Sequence, residues 1–252
     1  MDRTRFAKWL ALGGASLTLF AGAAMAAPIS PTYDSFAALT APELALINFG
    51  GTGISNAGPV ALSSFASIAT SPTSPTVYLA LSATPRVVQS PAFTGPPLAD
   101  NGAGTYFAQP VASPPSGGNN AGWNFNYAVI GDTRGLTFQF LMDPLPGAGT
   151  DEAQHADAAP LFITPFVGSG QSSQGSQNLG FGAAFPSFDP LVPGEYTFAI
   201  RAFNNSTLVD EVAIRVSVIP EPEAYGLAFA GMGVVGFAML RRGRAGRQAT
   251  VD

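Results

Sequence analysis

The central part of the chain alternates apolar and polar residues with a period of two, which is the pattern of half-buried β-strands. One run alternates large residues with small or polar ones: Trp123, Phe125, Tyr127 and Val129 against Asn124, Asn126 and Ala128. After a turn over 131–135, Leu136, Phe138 and Phe140 continue the alternation. The two runs predict a hairpin whose aromatic face lies in the core.

A second hairpin is predicted near residue 200. The residues expected to point inward are Tyr196, Phe198, Ile200 and Ala202, then Val212, Ile214, Val216 and Val218 after a turn at Asn204 and Asn205. The residues expected to face water are Thr197, Arg201, Glu211, Arg215 and Ser217. This pair is similar to the closing strands of Ig-like and related bacterial β-sandwiches, a likeness that concerns the fold and not the activity.

Weaker patterns predict the remaining elements. Further strands are expected over 44–49, 76–81, 104–109, 161–167 and 178–185, and the polar stretch 169–177 is expected to be a loop. A short helix is expected within 34–46, with Thr40 capping it ahead of Pro42 and Glu43. Together these elements predict a mainly β fold, a single antiparallel β-sandwich of Ig-like or jelly-roll-like type over residues 27–219.

The first 26 residues have the pattern of a secretion signal. Three cations precede an apolar run over 9–24: Arg3, Arg5 and Lys8. Ala24 and Ala26 are the small residues that signal peptidase requires, so we expect cleavage after Ala26 and a mature protein that begins at Ala27. The alternative is an uncleaved anchor, which the shortness of the run disfavours.

The other end carries a second apolar segment, over 224–240. Four arginines follow it directly: Arg241, Arg242, Arg244 and Arg247. As a helix the segment is about 25 Å long, a marginal transmembrane span. Because the cations at both ends are expected to stay in the cytoplasm, the intervening domain is expected beyond the inner membrane. Small residues can also form a helix–helix seam, but the segment has no GxxxG spacing.

The tripeptide Pro220-Glu221-Pro222, followed by the apolar segment and the arginine tail, resembles the PEP-CTERM sorting signal over 220–247. The resemblance implies recognition by an exosortase, which would cut near the tripeptide and release or transfer the domain. Glu223 stands where family members commonly have a small hydroxyl residue. The two prolines keep the chain extended, which suits a protease cleft and also suits the end of a last strand.

Composition excludes several classes of function. The 252 residues include no cysteine, which rules out a disulfide framework, a Cys-ligated zinc ion and a thiol nucleophile. Only 11% of the residues are charged, while 29 glycines and 22 prolines favour short strands and turns over a helical bundle. Between the ends the only cations are Arg86, Arg134, Arg201 and Arg215, so we expect no nucleic-acid partner.

Few residues are candidates for chemistry. His155 is the only histidine, which excludes a two-His zinc motif, and its small-residue acidic loop favours a solvated side chain over a catalytic one. We therefore predict no catalytic residues. Asp143, Asp151 and Glu152, with Asp157 nearby, are candidate calcium ligands, and the alternative is a solvated acidic loop. No other cofactor is expected.

The expected function follows from the two ends and from the resemblance. The chain is expected to be an exported, non-catalytic surface or extracellular-matrix protein. Its expected partners are signal peptidase, exosortase, the inner membrane in transit, and exopolysaccharide in a biofilm. The alternatives are a membrane-anchored carbohydrate-binding or adhesive module, and a secreted hydrolase that uses Asp and Glu residues.

Overall fold

Two β-sheets contain about half of the residues that the computed structural model describes, which are 29–49, 58–86, 97–112, 120–145, 155–163, 172–180, 185 and 188–220. The described strands are β1 (Ser35–Ala37), β2 (Val60–Ala66), β3 (Thr76–Pro85), β4 (Ala99–Asp100), β5 (Thr105–Ala108), β6 (Trp123–Ile130), β7 (Leu136–Met142), β8 (Ala156–Asp157), β9 (Ser173–Gln177), β10 (Gly194–Asn204) and β11 (Thr207–Val218). The described helices are α1 (Ala41–Leu44) and α2 (Ala159–Phe162). The prediction of a mainly β fold is confirmed.

The first sheet has five strands and the second has six. The first sheet has the order β1-β2-β3-β6-β9 and is antiparallel throughout. The second has the order β4-β5-β11-β10-β7-β8, in which β5 and β11 are parallel and the other neighbours are antiparallel. The prediction of a purely antiparallel fold is therefore wrong for this one pair of strands.

The hairpin of β10 and β11 is confirmed. Asn204 pairs with Thr207, so the turn consists of Asn205 and Ser206, one residue later than predicted. Asn205 has a φ of 55°, a conformation that asparagine tolerates better than most residues. The residues predicted to point inward are all buried: Tyr196, Phe198, Ile200, Ala202, Val212, Ile214, Val216 and Val218.

The predicted hairpin of β6 and β7 is wrong. β6 pairs with β3 and β9 in the first sheet, whereas β7 pairs with β10 and β8 in the second. The connection over 131–135 therefore carries the chain from one sheet to the other. The aromatic residues still meet, but across the core: the ring centroids of Phe125 and Phe140 are 5.9 Å apart, edge to face.

The two sheets share one core. Phe125 of β6 stacks on Phe198 of β10 with 4.9 Å between ring centroids. Trp123 contacts Tyr196 and Phe198 at 5.5 and 6.1 Å. Because these pairs join strands of different sheets, burial of apolar area between the sheets is the main source of stability.

Outside the sheets, the prediction of a capped short helix is confirmed. In α1 the backbone N–H of Thr40 donates to Glu43 Oε2 at 2.6 Å, and Pro42 lies in the first turn. The predicted strand 44–49 is wrong, because Leu44 ends α1 and Ile47 and Phe49 then pack on the outer face of the first sheet.

The described parts of two further predicted strands are not strands, and one strand was not predicted. Residues 161–163 lie at the end of α2, which Pro160 helps to start, and 178–180 form a turn after β9. The rest of the strands predicted over 161–167 and 178–185 lies largely outside the described residues. The predicted loop 169–177 contains β9, whose polar sequence suits an edge strand.

The outer face of the second sheet is partly covered. Thr197, predicted to face water, is buried, because the backbone N–H of Asp143 donates to its carbonyl at 3.0 Å and His155 Nε2 lies 2.6 Å from its hydroxyl. Arg201 pairs with Glu211 on the same face, at 3.2 Å between Nε and Oε1.

Candidate functional site

The outer face of the first sheet has an apolar half and a polar half. The apolar half is covered by the segment after α1, whose Ile47 and Phe49 are fully buried against β3 and β6. Gln174 of β9 fixes this segment by accepting the backbone N–H groups of Asn48 and Phe49, both at 2.9 Å.

The polar half begins with a buried network on β3 and β6. Asn126 Nδ2 donates to Ser82 Oγ at 3.0 Å and to Thr84 Oγ1 at 3.2 Å. All three residues are buried, and within the described part of the chain Asn126 Oδ1 has no hydrogen-bond partner. Asparagine was expected to face water here, so a buried amide network was not foreseen.

Asn178 holds the end of β9 against β6. Its Nδ2 donates to the carbonyl of Trp123 at 2.6 Å and to Asn124 Oδ1 at 2.9 Å. Its Oδ1 accepts the N–H of Ala121 at 2.9 Å. Asn124 Nδ2 in turn donates to Ser176 Oγ at 3.3 Å. These hydrogen bonds therefore hold the side chains of Asn124, Ser176 and Asn178 in place.

A cavity of about 330 Å³ opens beside this network. The residues that line it are Arg86, Asn124, Ser176, Gln177 and Asn178. Arg86 follows β3, and its backbone N–H donates to the carbonyl of Gly122 at 2.8 Å. Its Nη1 is buried and has no hydrogen-bond partner among the described residues. The cavity wall thus combines amide and hydroxyl groups with one guanidinium.

The other three arginines of the described chain each pair with a carboxylate. Arg134 pairs with Asp132 at 2.5 Å, Arg201 with Glu211 at 3.2 Å, and Arg215 with Glu195 at 3.3 Å. Within the same residues Arg86 has no carboxylate at salt-bridge distance. No described carboxylate therefore neutralises its charge.

A second cavity, of about 640 Å³, lies at the end of the fold where the β2–β3, β6–β7 and β10–β11 connections meet. Arg134 contributes to its wall, but its guanidinium already binds Asp132, which also accepts the N–H of Thr73 at 2.8 Å. The hydrogen bond from Arg134 holds the pKa of the Asp132 carboxyl well below its usual range. This arginine serves the structure of the loops.

Of the four residues considered as calcium ligands, the structure describes Asp143 and Asp157. Asp143 is buried, its Oδ1 accepts the N–H of Leu145 at 2.9 Å, and its Oδ2 has no described partner. Burial raises the pKa of this carboxyl, and the hydrogen bond from the Leu145 backbone and the charge of His155 partly offset that rise. Asp157 instead accepts the N–H groups of Phe140 and Ala159 through Oδ1. Asp151 and Glu152 lie outside the described residues.

Across the ranges that the structure describes, no three His, Cys, Asp or Glu side chains gather in an arrangement suited to a metal ion. His155, expected to be solvated, is half-buried, with Nε2 2.6 Å from Thr197 Oγ1. The lining of the cavity beside Arg86 holds no described acid, base or nucleophile pair. The described lining consists of amide and hydroxyl groups and one guanidinium.

The described chain ends within the predicted sorting motif. β11 ends at Val218, and Pro220 follows two residues later. Glu221, Pro222, the segment 224–240 and the four arginines of the tail lie outside the described residues, as do Ala24, Ala26 and the rest of the signal peptide. Among the residues that are described, no helix has the length and apolar character to cross a bilayer.

A comparison of the chain with protein-family models, with curated proteins and with solved structures finds no match.

The residues around the cavity were missed as a site by sequence reasoning. In the sequence Arg86 is one of four scattered cations, Ser176 and Gln177 belong to the polar stretch 169–177 predicted as a loop, and Asn178 begins the predicted strand 178–185. The available signal was the pair Asn124 and Asn126 within an otherwise apolar strand, because amides on a strand that is covered on both faces need partners.

Proposed function

We propose that the chain is an exported, non-catalytic surface or extracellular-matrix protein, sorted by an exosortase and associated with exopolysaccharide. The observation that carries the proposal is the order of features after β11: the tripeptide Pro220-Glu221-Pro222, the apolar segment 224–240 and the arginine tail. The described fold supports it, because the last strand ends two residues before the tripeptide, so a cut there leaves both sheets intact.

The test is to express the full chain with and without a co-expressed exosortase and to determine both ends by mass spectrometry. We expect an N-terminus at Ala27 in both cases and a C-terminus near Pro222 only with the enzyme. Glu221→Ala is expected to block trimming, whereas Glu223→Ala removes the same charge outside the tripeptide and is expected to be trimmed. A chain that stays full length beside an active exosortase would refute sorting.

A second candidate function is a carbohydrate-binding or adhesive module that stays anchored in the membrane. The cavity beside Arg86 favours it, since amides, a hydroxyl and a guanidinium are the groups that bind sugars. Binding to a glycan array by a chain that retains its tail would support this candidate. Turnover of a glycan that Asp143→Asn abolishes would instead favour the secreted hydrolase.

We also propose that the two sheets form an Ig-like or jelly-roll-like sandwich. The chain crosses repeatedly between the sheets, as in Greek-key folds. Tyr196 supports this: it is buried near the start of β10, and its hydroxyl donates to the carbonyl of Val192 at 3.1 Å. A buried tyrosine bonded to the backbone a few residues upstream is typical of the tyrosine corner of such sandwiches.

A further inference from the structure

The guanidinium of Arg86 is the feature of the described chain that most needs an external partner. Its Nη1 is buried and has no hydrogen-bond partner, and no described carboxylate lies at salt-bridge distance. A buried cationic donor without an acceptor costs free energy, which an anionic ligand oxygen would offset. The guanidinium is planar and presents its donors as a fork, a shape that matches a carboxylate.

The rest of the lining matches hydroxyl groups. Asn124 and Gln177 each carry an amide with donors and an acceptor, and Ser176 carries a hydroxyl. Neighbouring sugar hydroxyls both donate and accept, so they can pair with such groups in either direction. The hydrogen bonds of Asn178 to Ala121, Trp123 and Asn124 hold this wall in place, which reduces the entropy lost on binding.

The size and position of the cavity limit what it can hold. Its volume of about 330 Å³ is at the lower end for ligand pockets, so it fits about one sugar unit. Its wall includes Ser176 and Gln177 of β9, which is an edge strand of the first sheet. A polymer can therefore place one unit in the cavity while its neighbours extend into solvent.

The charge of the chain narrows the ligand further. The formal net charge is −5, and the cavity supplies a single cation. A polyphosphate or nucleic acid requires several cations, whereas one carboxylate per sugar unit requires one. The chemistry thus favours a uronic acid over a phosphate-rich polymer.

We propose that this cavity binds a carboxylate-bearing sugar unit of an acidic polysaccharide, with Arg86 pairing the carboxylate and Asn124, Ser176 and Gln177 binding the hydroxyl groups. The identification of the polysaccharide as extracellular rests on the proposed function, but the cavity and its ligand class do not. This assigns the expected exopolysaccharide partner to a particular surface.

The test is a calorimetric titration of the purified full chain with a uronic-acid oligomer, a neutral hexose oligomer of equal length, and sodium acetate. We expect binding of the acidic oligomer to be roughly tenfold or more tighter than binding of the neutral one, because a charged hydrogen-bonded pair is lost with the latter. Acetate is expected to compete weakly. Equal affinity for the two oligomers, or no binding of either, would overturn the proposal.

Variants separate the site from general charge effects. Arg86→Gln is expected to weaken binding of the acidic oligomer roughly tenfold or more, and Arg86→Lys less, since lysine keeps the charge and loses the fork. Arg215→Gln removes one charge from an ion pair on the other sheet and is expected to bind like the natural chain. An equal loss in Arg215→Gln would show attraction by net charge alone and would also overturn the proposal.

A spectroscopic measurement on the unaltered chain covers the case in which Arg86→Gln fails to fold. In nuclear magnetic resonance spectra, the side-chain amide signals of Asn124 and Gln177 are expected to shift when the acidic oligomer is added. The signal of Asn205, in the β10–β11 turn, is expected to stay unchanged. Shifts confined to other amides would contradict the assignment. Trimming of Arg86→Gln by exosortase is read separately, so failure of binding and failure of sorting are distinguishable.

Discussion

At the scale of single residues, Asp143 illustrates how burial decides the behaviour of a charge. One oxygen accepts the N–H of Leu145 at 2.9 Å, while the other is buried with no described partner. Burial raises the pKa of this carboxyl above its ordinary value of 3.8. The folded state therefore holds the proton more tightly than the unfolded state, so the fold loses stability as the pH rises from about 3.8 through the raised pKa.

We predict that Asp143→Asn raises the melting temperature at pH 7 in calcium-free buffer. The amide keeps an acceptor for Leu145 and removes the buried charge, so the free energy of unfolding increases. The gain is expected to vanish below about pH 3.8, where the carboxyl is protonated in both states. Thermal unfolding followed by circular dichroism at pH 7 and pH 3.5 measures both effects.

Asp189→Asn is the matched control for this prediction. Asp189 accepts the N–H of Leu191, two residues later in the chain, at 2.9 Å, as Asp143 accepts that of Leu145. The side chain of Asp189 is exposed, whereas that of Asp143 is buried. We expect its replacement to change the melting temperature little at either pH. A loss of stability in Asp143→Asn at pH 7 would contradict the argument. Stabilisation of the natural chain by added calcium, absent from Asp143→Asn, would instead support calcium binding at Asp143.

At the scale of strands, the sequence predicts which face of a strand is buried better than it predicts which strand lies beside it. The alternation in β10 and β11 places the correct residues inward, and their short turn fixes the partner. The alternation in β6 and β7 is equally clear, but it does not specify whether the connection stays in one sheet. For β9 the sequence predicts neither the strand nor its neighbour, because backbone hydrogen bonds pair β9 with β6 and its polar sequence has no apolar alternation.

Gly131 marks the point where the chain leaves the first sheet. Its φ is +111°, and an added Cβ would lie 2.3 Å from the carbonyl oxygen of Thr76. We predict that Gly131→Ala costs about 2 kcal/mol or more, because it combines an unfavourable backbone conformation with a collision against backbone that cannot move aside. Chemical denaturation measures the change in the free energy of unfolding.

Gly102→Ala isolates the contribution of the collision. Gly102 also has a positive φ, of +69°, but an added Cβ would meet no atom within 4 Å. Its replacement is expected to cost about 1 kcal/mol from backbone conformation alone. If the two variants lose equal stability, the close approach of Gly131 to β3 has no energetic consequence and the explanation of the crossing connection is wrong.

At the scale of the whole molecule, the sequence leads to predictions about the two ends of the chain, whereas the structure describes the sheets between them. Charge order and apolar length at the two ends lead to predictions of export and sorting, and those segments lie outside the described residues. The described sheets instead bring together Arg86, Asn124 and 176–178, which are far apart in the chain. No spacing rule links such residues, because the pairing of β3, β6 and β9 creates their proximity.

The shared core predicts that the two sheets unfold together. Phe198 of the second sheet contacts both Phe125 and Trp123 of the first. Phe198→Ala is expected to cost about 3–5 kcal/mol, because it leaves a cavity between the sheets. Trp123 fluorescence and far-ultraviolet circular dichroism should report one common midpoint in the natural chain and one common, lower midpoint in the variant.

Phe107→Ala serves as the control, because Phe107 is only half-buried and lies in β5 of the second sheet, outside the shared core. It removes the same number of atoms, and we expect a cost of about 1 kcal/mol with both probes still coincident. Two separated transitions in Phe198→Ala would show that each sheet is stable without the other. The cavity beside Arg86 is lined by the first sheet alone, so with separate transitions it would persist after the second sheet unfolds. If the sheets unfold cooperatively, a ligand bound at Arg86 instead stabilises both of them.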